Sequence, residues 1–150
     1  MASDYIFCRI IRGEIPLYKV YEDENTLAFL DINPASPGHT LSIPKTHVAQ
    51  VEDMTAEDVV SLFKTLHKIV RSIQEAFNAL ASTIGINNGR ESGREVPHVH
   101  INIIPRKHPD RLSIVQNFNR IKKNYSRGIC RERSKDKRDN RELITGSDIL

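Results

Sequence analysis

Apolar and polar positions change period several times along this chain, and each change marks an element. Tyr5–Arg12 (YIFCRIIR) is apolar enough for a short helix or strand, and Gly13-Glu14-Ile15-Pro16 breaks it. Lys19–Glu22 and Thr26–Asp31 read as two strands joined by a hairpin turn at Asp23-Glu24-Asn25. Asn33–Gly38 (NPASPG) is a loop, and His39–Pro44 is a third strand closed by Pro44. Leu62, Leu66, Ile69, Ile73 and Phe77 recur at helical spacing, which predicts a long helix from Thr55 to about Leu80. Thr55 is its N-cap, with Glu57 and Asp58 in the first turn. Ser82–Asn87 is a fourth strand, and the polar loop Asn88–Glu95 leads into a fifth, His98–Ile104. Strands before and after one long helix predict an α+β fold with an antiparallel sheet.

The fifth strand carries most of the chemistry. His98, His100 and Asn102 are spaced by two and share one face, while Val99, Ile101 and Ile103 take the other, buried face. Pro105 is expected to end the strand, because proline cannot donate to a ladder.

Composition narrows the class. The chain has 150 residues, 39% of them hydrophobic, enough for one domain with a core. No apolar run is long enough to span a bilayer, and MASDYIFCRI lacks the layout of a signal peptide. Cys8 and Cys130 are the only cysteines, so a disulfide framework is not expected and a reducing, cytoplasmic setting fits, with nuclear access open. The net charge of +3 is unevenly spread: residues 1–105 hold 9 basic and 13 acidic side chains, and residues 106–150 hold 13 and 6. The domain division is therefore 1–106 as the folded body and 107–150 as a basic extension. Within that extension Arg111–Ile121 reads as a short amphipathic helix and Arg127–Arg141 as a mobile or loosely docked charged tail.

Three readings of the His98/His100/Asn102 row stand side by side. The histidines are structural; or they bind a metal, for which a third ligand is wanting at any obvious spacing; or one imidazole is a nucleophile toward phosphorus. In the third reading the adjacent glycine loop offers backbone N–H groups to phosphate oxygens. His47, His67 and His108 read as bystanders.

The motif His98-Val99-His100-Ile101-Asn102-Ile103-Ile104 resembles the histidine-triad (HIT) family of nucleotide hydrolases and transferases, whose pattern is His-φ-His-φ-His-φ-φ with φ apolar. Two further blocks stand in the family's order: IFCRIIRGEIP at 6–16 and YEDENTLAFLDINPASPGHTLSIPKTH at 21–47. The motif itself closes the block NNGRESGREVPHVHINIIPR at 87–106. The resemblance implies an antiparallel sheet of about five strands with one long helix and a short N-terminal helix. It also implies a homodimer in which two sheets run together.

By the same resemblance the ligand is a nucleoside monophosphate unit, most commonly AMP or another purine nucleotide. Ile6, Phe7, Ile10, Phe29, Leu30 and Ile32 would line base and ribose, and Asp31 would hold the ribose hydroxyls. Asn87, Gly93, Arg94, Glu95 and Val96 would lie around the phosphate with His98 and His100. His100 would be the nucleophile at the α-phosphorus, giving a nucleotidyl-histidine intermediate, and His98 and His39 would support it. No metal and no cofactor is called for. Two departures stand out. Asn102 replaces the third motif histidine: its amide can donate a hydrogen bond but cannot exchange protons. Arg94 stands where many members have glutamine.

The expected function is therefore hydrolysis or transfer at a phosphoanhydride or phosphoramidate bond, as in a nucleotide phosphoramidase or dinucleoside polyphosphate hydrolase. One alternative is a nucleotide-binding protein with weakened turnover. The other is a nucleic-acid-associated hydrolase acting on adenylyl ends, against which the basic tail lacks aromatic interleaving and zinc-ligand spacing.

Overall fold

The computed structural model describes residues 5–108; the short helix expected at 111–121 and the charged stretch at 127–141 lie outside them. Helix α1 (Ile6–Ile11) is followed by strands β1 (Lys19–Glu22), β2 (Thr26–Leu30) and β3 (Thr40–Pro44), helix α2 (Ala56–Ala76), and strands β4 (Ala81–Gly85) and β5 (Ile101–Arg106). Among the described residues the strands form one antiparallel sheet in the order β1-β2-β3-β5-β4. This is the α+β architecture expected from the pattern.

The β1–β2 hairpin is closed by Asp23. One carboxylate oxygen accepts the Asn25 and Thr26 amides at 3.0 and 2.7 Å and the Thr26 hydroxyl at 2.9 Å. Helix α2 starts where Thr55 Oγ1 accepts the Asp58 amide at 3.1 Å, the expected N-cap. It ends at Ala76, about one turn before the expected Leu80. Asn78 takes a left-handed φ of 51°, the Asn78 amide donates to Glu75 O at 3.1 Å and the Ala79 amide donates to Gln74 O at 2.8 Å. That pair of bonds is a Schellman stop, with asparagine in the position glycine usually takes.

The sheet has two apolar faces. On one, Leu62, Leu66, Ile69 and Ile73 of α2 pack against Ala28, Val99, Ile101 and Ile103, with Phe77 at the margin. On the other, Phe7 and Ile10 of α1 pack against Leu27, Phe29, Leu41 and Ile43. Leu41 lies opposite Asn102 in the β3–β5 register, so His100 and Asn102 belong to the α1 side.

The expected boundaries of β2, β3 and the start of β4 are met to within one residue, and the larger departures are at the end of β4 and at both ends of β5. β4 ends at Gly85 rather than Asn87, and β5 begins at Ile101 rather than His98. The His98–His100 stretch keeps the extended alternation, but its backbone is held by the loop after β3: the Val99 amide donates to Val48 O at 2.8 Å. β5 also runs through Pro105 instead of ending before it. Pro105 O accepts the Ser36 hydroxyl at 2.8 Å, so the missing N–H faces the loop before β3 and not the β4 ladder.

Candidate active site around His100

The site lies where β3, β5 and α1 meet, and its hydrogen bonds fix the protonation pattern of three imidazoles. His100 Nδ1 is 2.8 Å from the His98 carbonyl oxygen, which can only accept. The proton is therefore on Nδ1, and Nε2 carries the lone pair. His98 Nε2 is 2.9 Å from Pro44 O, so its proton is on Nε2. Burial, reinforced by the neighbouring His47 and His100, pushes the His98 pKa down to about 4, against the opposing effect of the Pro44 bond. His98 is neutral at physiological pH.

His39 is fully buried just after Gly38. Its Nδ1 accepts the Ala35 amide at 3.1 Å, which places its proton on Nε2. That proton is donated to Asn102 Oδ1 at 3.0 Å. Asp31 Oδ2 lies 3.7 Å from His39 Nδ1, the nitrogen that accepts the Ala35 amide. Asp31 Oδ1 accepts the Asn33 amide at 2.9 Å. The Asn102 amide nitrogen points toward Gly85 O at 3.4 Å.

Phe7 forms the wall of the site. Its ring meets His100 edge-on at 5.4 Å, and His98 and Phe29 at 5.8 Å. Phe7, Ile10 and Phe29 are buried, whereas Ile6 is 43% and Ile32 78% exposed. Of the residues expected to line the base, three are thus core members and two lie at the surface; Leu30 and Asp31 are partly buried at the end of β2.

The loop before β5 holds Gly93 in a left-handed conformation, φ 84°, with its amide donating to Arg90 O at 3.1 Å. Val96 packs against the α1-side core, Glu95 is exposed and Asn87 is partly buried. The Arg94 guanidinium donates to Ala49 O, which ties this loop to the one after β3.

One grouping was not legible beforehand. His47, read from the sequence as a bystander, sits beside Cys8 and His98. Cys8 Sγ is 3.3 Å from His47 Nδ1 and 3.9 Å from His98 Nδ1, and the two ring nitrogens are 3.3 Å apart. All three ligand atoms fall within 4.8 Å of one another, the one such metal-competent group among the described residues. Two Zn–N bonds at a tetrahedral angle place their nitrogens about 3.3 Å apart, so the imidazole pair has the separation a zinc-class ion requires; the thiol sits slightly wide of its position. His98 Nδ1 carries a lone pair because its proton is on Nε2, the orientation that outer-shell carbonyls impose on metal-binding histidines. The set is one donor short of a closed four-ligand structural site. The Tyr5 ring stacks on His47 at 5.3 Å.

Comparison with known proteins finds relatives in sequence and in fold. The chain is 48% identical over 105 residues to "Protein hit" of Bacillus subtilis, covering 70% of this chain and 72% of that one. It is 40% identical over 112 residues to "Adenylylsulfatase HINT3" of Arabidopsis thaliana, covering 75% and 57%. It is 41% identical over 102 residues to "Adenosine 5'-monophosphoramidase hnt1" of Schizosaccharomyces pombe, covering 67% and 73%. Among solved structures, a HIT family member from Bacillus subtilis superposes with a TM-score of 0.71 at 38% identity, covering 89% of this chain and 99% of that one. A zinc-bound histidine triad family protein from Mycobacterium smegmatis gives 0.71 at 32% identity, covering 88% and 100%. The family model described as "HIT domain" matches residues 12–109, and with these relatives it makes the chain a member of the HIT family.

Proposed function

We propose that this protein is a nucleotide hydrolase or nucleotidyl transferase in which His100 attacks the α-phosphorus of a nucleoside monophosphate derivative. The bond from His100 Nδ1–H to the His98 carbonyl carries the reading, because it leaves the Nε2 lone pair to act as nucleophile and stabilises the charge that forms on the ring as the N–P bond closes. The named activities of relatives, an adenylylsulfatase and an adenosine monophosphoramidase, support a nucleotide substrate broken at that phosphorus. In this reading AMP is the retained half. Phe7, with Ile6 and Ile32 at the rim, flanks the base, Asp31 accepts from the ribose hydroxyls, and the Gly93–Val96 backbone faces the phosphate. His98 and His39 are positioning residues: the first orients the nucleophile through its carbonyl, the second orients Asn102.

Cys8, His47 and His98 would hold a zinc-class ion. Its contribution is structural, fastening α1 to the loop after β3 and to the segment that presents His100. The assembly is taken as a homodimer; the exposed Val60 and Phe63 of α2 and Ile84 of the edge strand β4 support a covered surface there.

The test is incubation with an adenylyl donor followed by acid-free denaturation and intact-mass measurement. A mass increase of one adenylyl group in the wild type, absent in His100→Ala, together with AMP release, is the expected result. AMP binding without adduct or release would favour a nucleotide-binding protein with little turnover, a reading whose motive is the non-titrating carboxamide of Asn102.

A further inference from the structure

The position next to His100 on the same face of β5 is held by a carboxamide, Asn102, and the hydrogen bonds around it fix which way that group faces. The His100 proton is bound to the His98 carbonyl, the His98 proton to the Pro44 carbonyl, and the His39 proton to Asn102 Oδ1. His47 turns its Nδ1 toward Cys8 and His98. The Asn102 amide lies on the face that carries His100; its oxygen is held by His39, and its nitrogen, 3.4 Å from Gly85 O, carries no proton acidic enough to transfer at neutral pH. Ala35 sets this arrangement: its N–H on His39 Nδ1 fixes the tautomer, the tautomer fixes which end of Asn102 faces His39, and position 102 is left with an N–H dipole and no acid.

We infer that this site is selective for nucleoside 5′-phosphoryl donors whose leaving group departs as a stable anion: mixed anhydrides of a nucleoside monophosphate with a strong acid, such as a sulfate or a phosphate. The inference rests on the reading above that His100 is the nucleophile. In the first step the Nε2 lone pair forms the N–P bond, the P–O bond to the leaving group breaks, and its electron pair leaves on oxygen as the oxyanion of an acid already ionised at pH 7. No proton is needed. In the second step water forms the new P–O bond, the P–N bond returns its pair to Nε2, and the water's proton passes to solvent, giving the nucleoside monophosphate. A phosphoramidate differs at the first step. Its nitrogen would have to leave as an amide anion unless it is protonated as the P–N bond breaks, and the carboxamide of Asn102 has no proton to supply. Asn102 is thus a specificity-determining residue, acting by what it cannot donate.

The experiment compares kcat/KM of the full chain for adenosine 5′-phosphosulfate and for adenosine 5′-phosphoramidate, and follows a series of adenosine 5′-aryl phosphates with phenols of increasing basicity. General acid catalysis contributes roughly 100-fold or more, so the phosphoramidate should lag the phosphosulfate by at least about that factor. The aryl series should slow steeply as the phenol becomes more basic. Asn102→His should raise the phosphoramidate rate relative to the phosphosulfate rate by about tenfold or more, a ratio that a general loss of activity would not move. A folded Asn102→His protein with no gain would overturn the assignment to position 102. If that variant fails to fold, the wild-type aryl series decides. Equal rates on the two substrates, or a flat aryl series, would overturn the inference while leaving the His100 reading intact. Absence of adduct and of AMP release with every donor would remove both.

Discussion

His39 donates its Nε2 proton to the side-chain oxygen of Asn102 across 3.0 Å, and both residues are buried. The pair links the start of β3 to β5 on the face that carries the nucleophile. Removing either partner leaves the other polar group without its bond in a site closed to water. We expect Asn102→Ala to lower stability by about 1–3 kcal/mol, read as a lower urea midpoint with an unchanged slope. An unchanged midpoint would mean that water reaches His39 and replaces the amide.

Gly38 precedes that pair and has two reasons to be glycine. Its φ is 85°, and a Cβ built there overlaps the Phe77 ring at the C-terminus of α2. The helix end therefore leans on the residue that positions His39. Gly38→Ala should cost about 2–4 kcal/mol, combining left-handed strain with overpacking. Combining it with Phe77→Ala should remove the overpacking part, so the double variant should be more stable than the sum of the two single losses predicts. Strict additivity, measured by a denaturant double-mutant cycle, would show that backbone strain alone makes the difference.

Much of this architecture is legible in the sequence where one face of an element is buried. The period-two spacing of Val99, Ile101 and Ile103 puts His98, His100 and Asn102 on one side whether or not residues 98–100 are formally in the strand. The helix-facing residues of α2 follow in the same way from 3.6-residue spacing. What local pattern does not carry is anything set by tertiary hydrogen bonding. The stop at Asn78 requires a left-handed asparagine, and Pro105 is tolerated because Ser36 approaches its carbonyl. The Cys8/His47/His98 group joins residues 39 and 51 or more positions apart with no regular spacing. A single cysteine in an apolar helix and a histidine after a strand each read as ordinary; their convergence is a product of the fold. His39 was reached only through the family resemblance, for a histidine at a strand start has no signature of its own.

The same group predicts a metal dependence of stability. Zinc added to chelator-treated protein should raise the thermal midpoint in a concentration-dependent manner, since an ion that binds the folded state adds stability by mass action. Cys8→Ser and His47→Ala should abolish the rise. The thiolate is the strongest donor in the set, so the first change should weaken binding most. A zinc-dependent rise that survives in both variants would place the ion elsewhere.

In the metal-free protein His98 gives stability a pH dependence of definite sign. Its folded pKa is pushed down to about 4, first by burial, whereas an unfolded histidine titrates near 6.5. Between those values the unfolded chain binds a proton that the folded chain does not, so stability rises with pH across this window. The contribution is fully present above about pH 6.5 and is lost progressively as pH falls toward about 4, a loss on the order of 3 kcal/mol over the full window. The check is urea unfolding of chelator-treated wild type and His98→Gln at pH 7 and pH 5. Glutamine can keep a donor near the Pro44 carbonyl but does not titrate, so the wild type should lose more stability than the variant on going from pH 7 to pH 5. Parallel losses in the two proteins would show that other groups, and not the burial of His98, govern the acid limb.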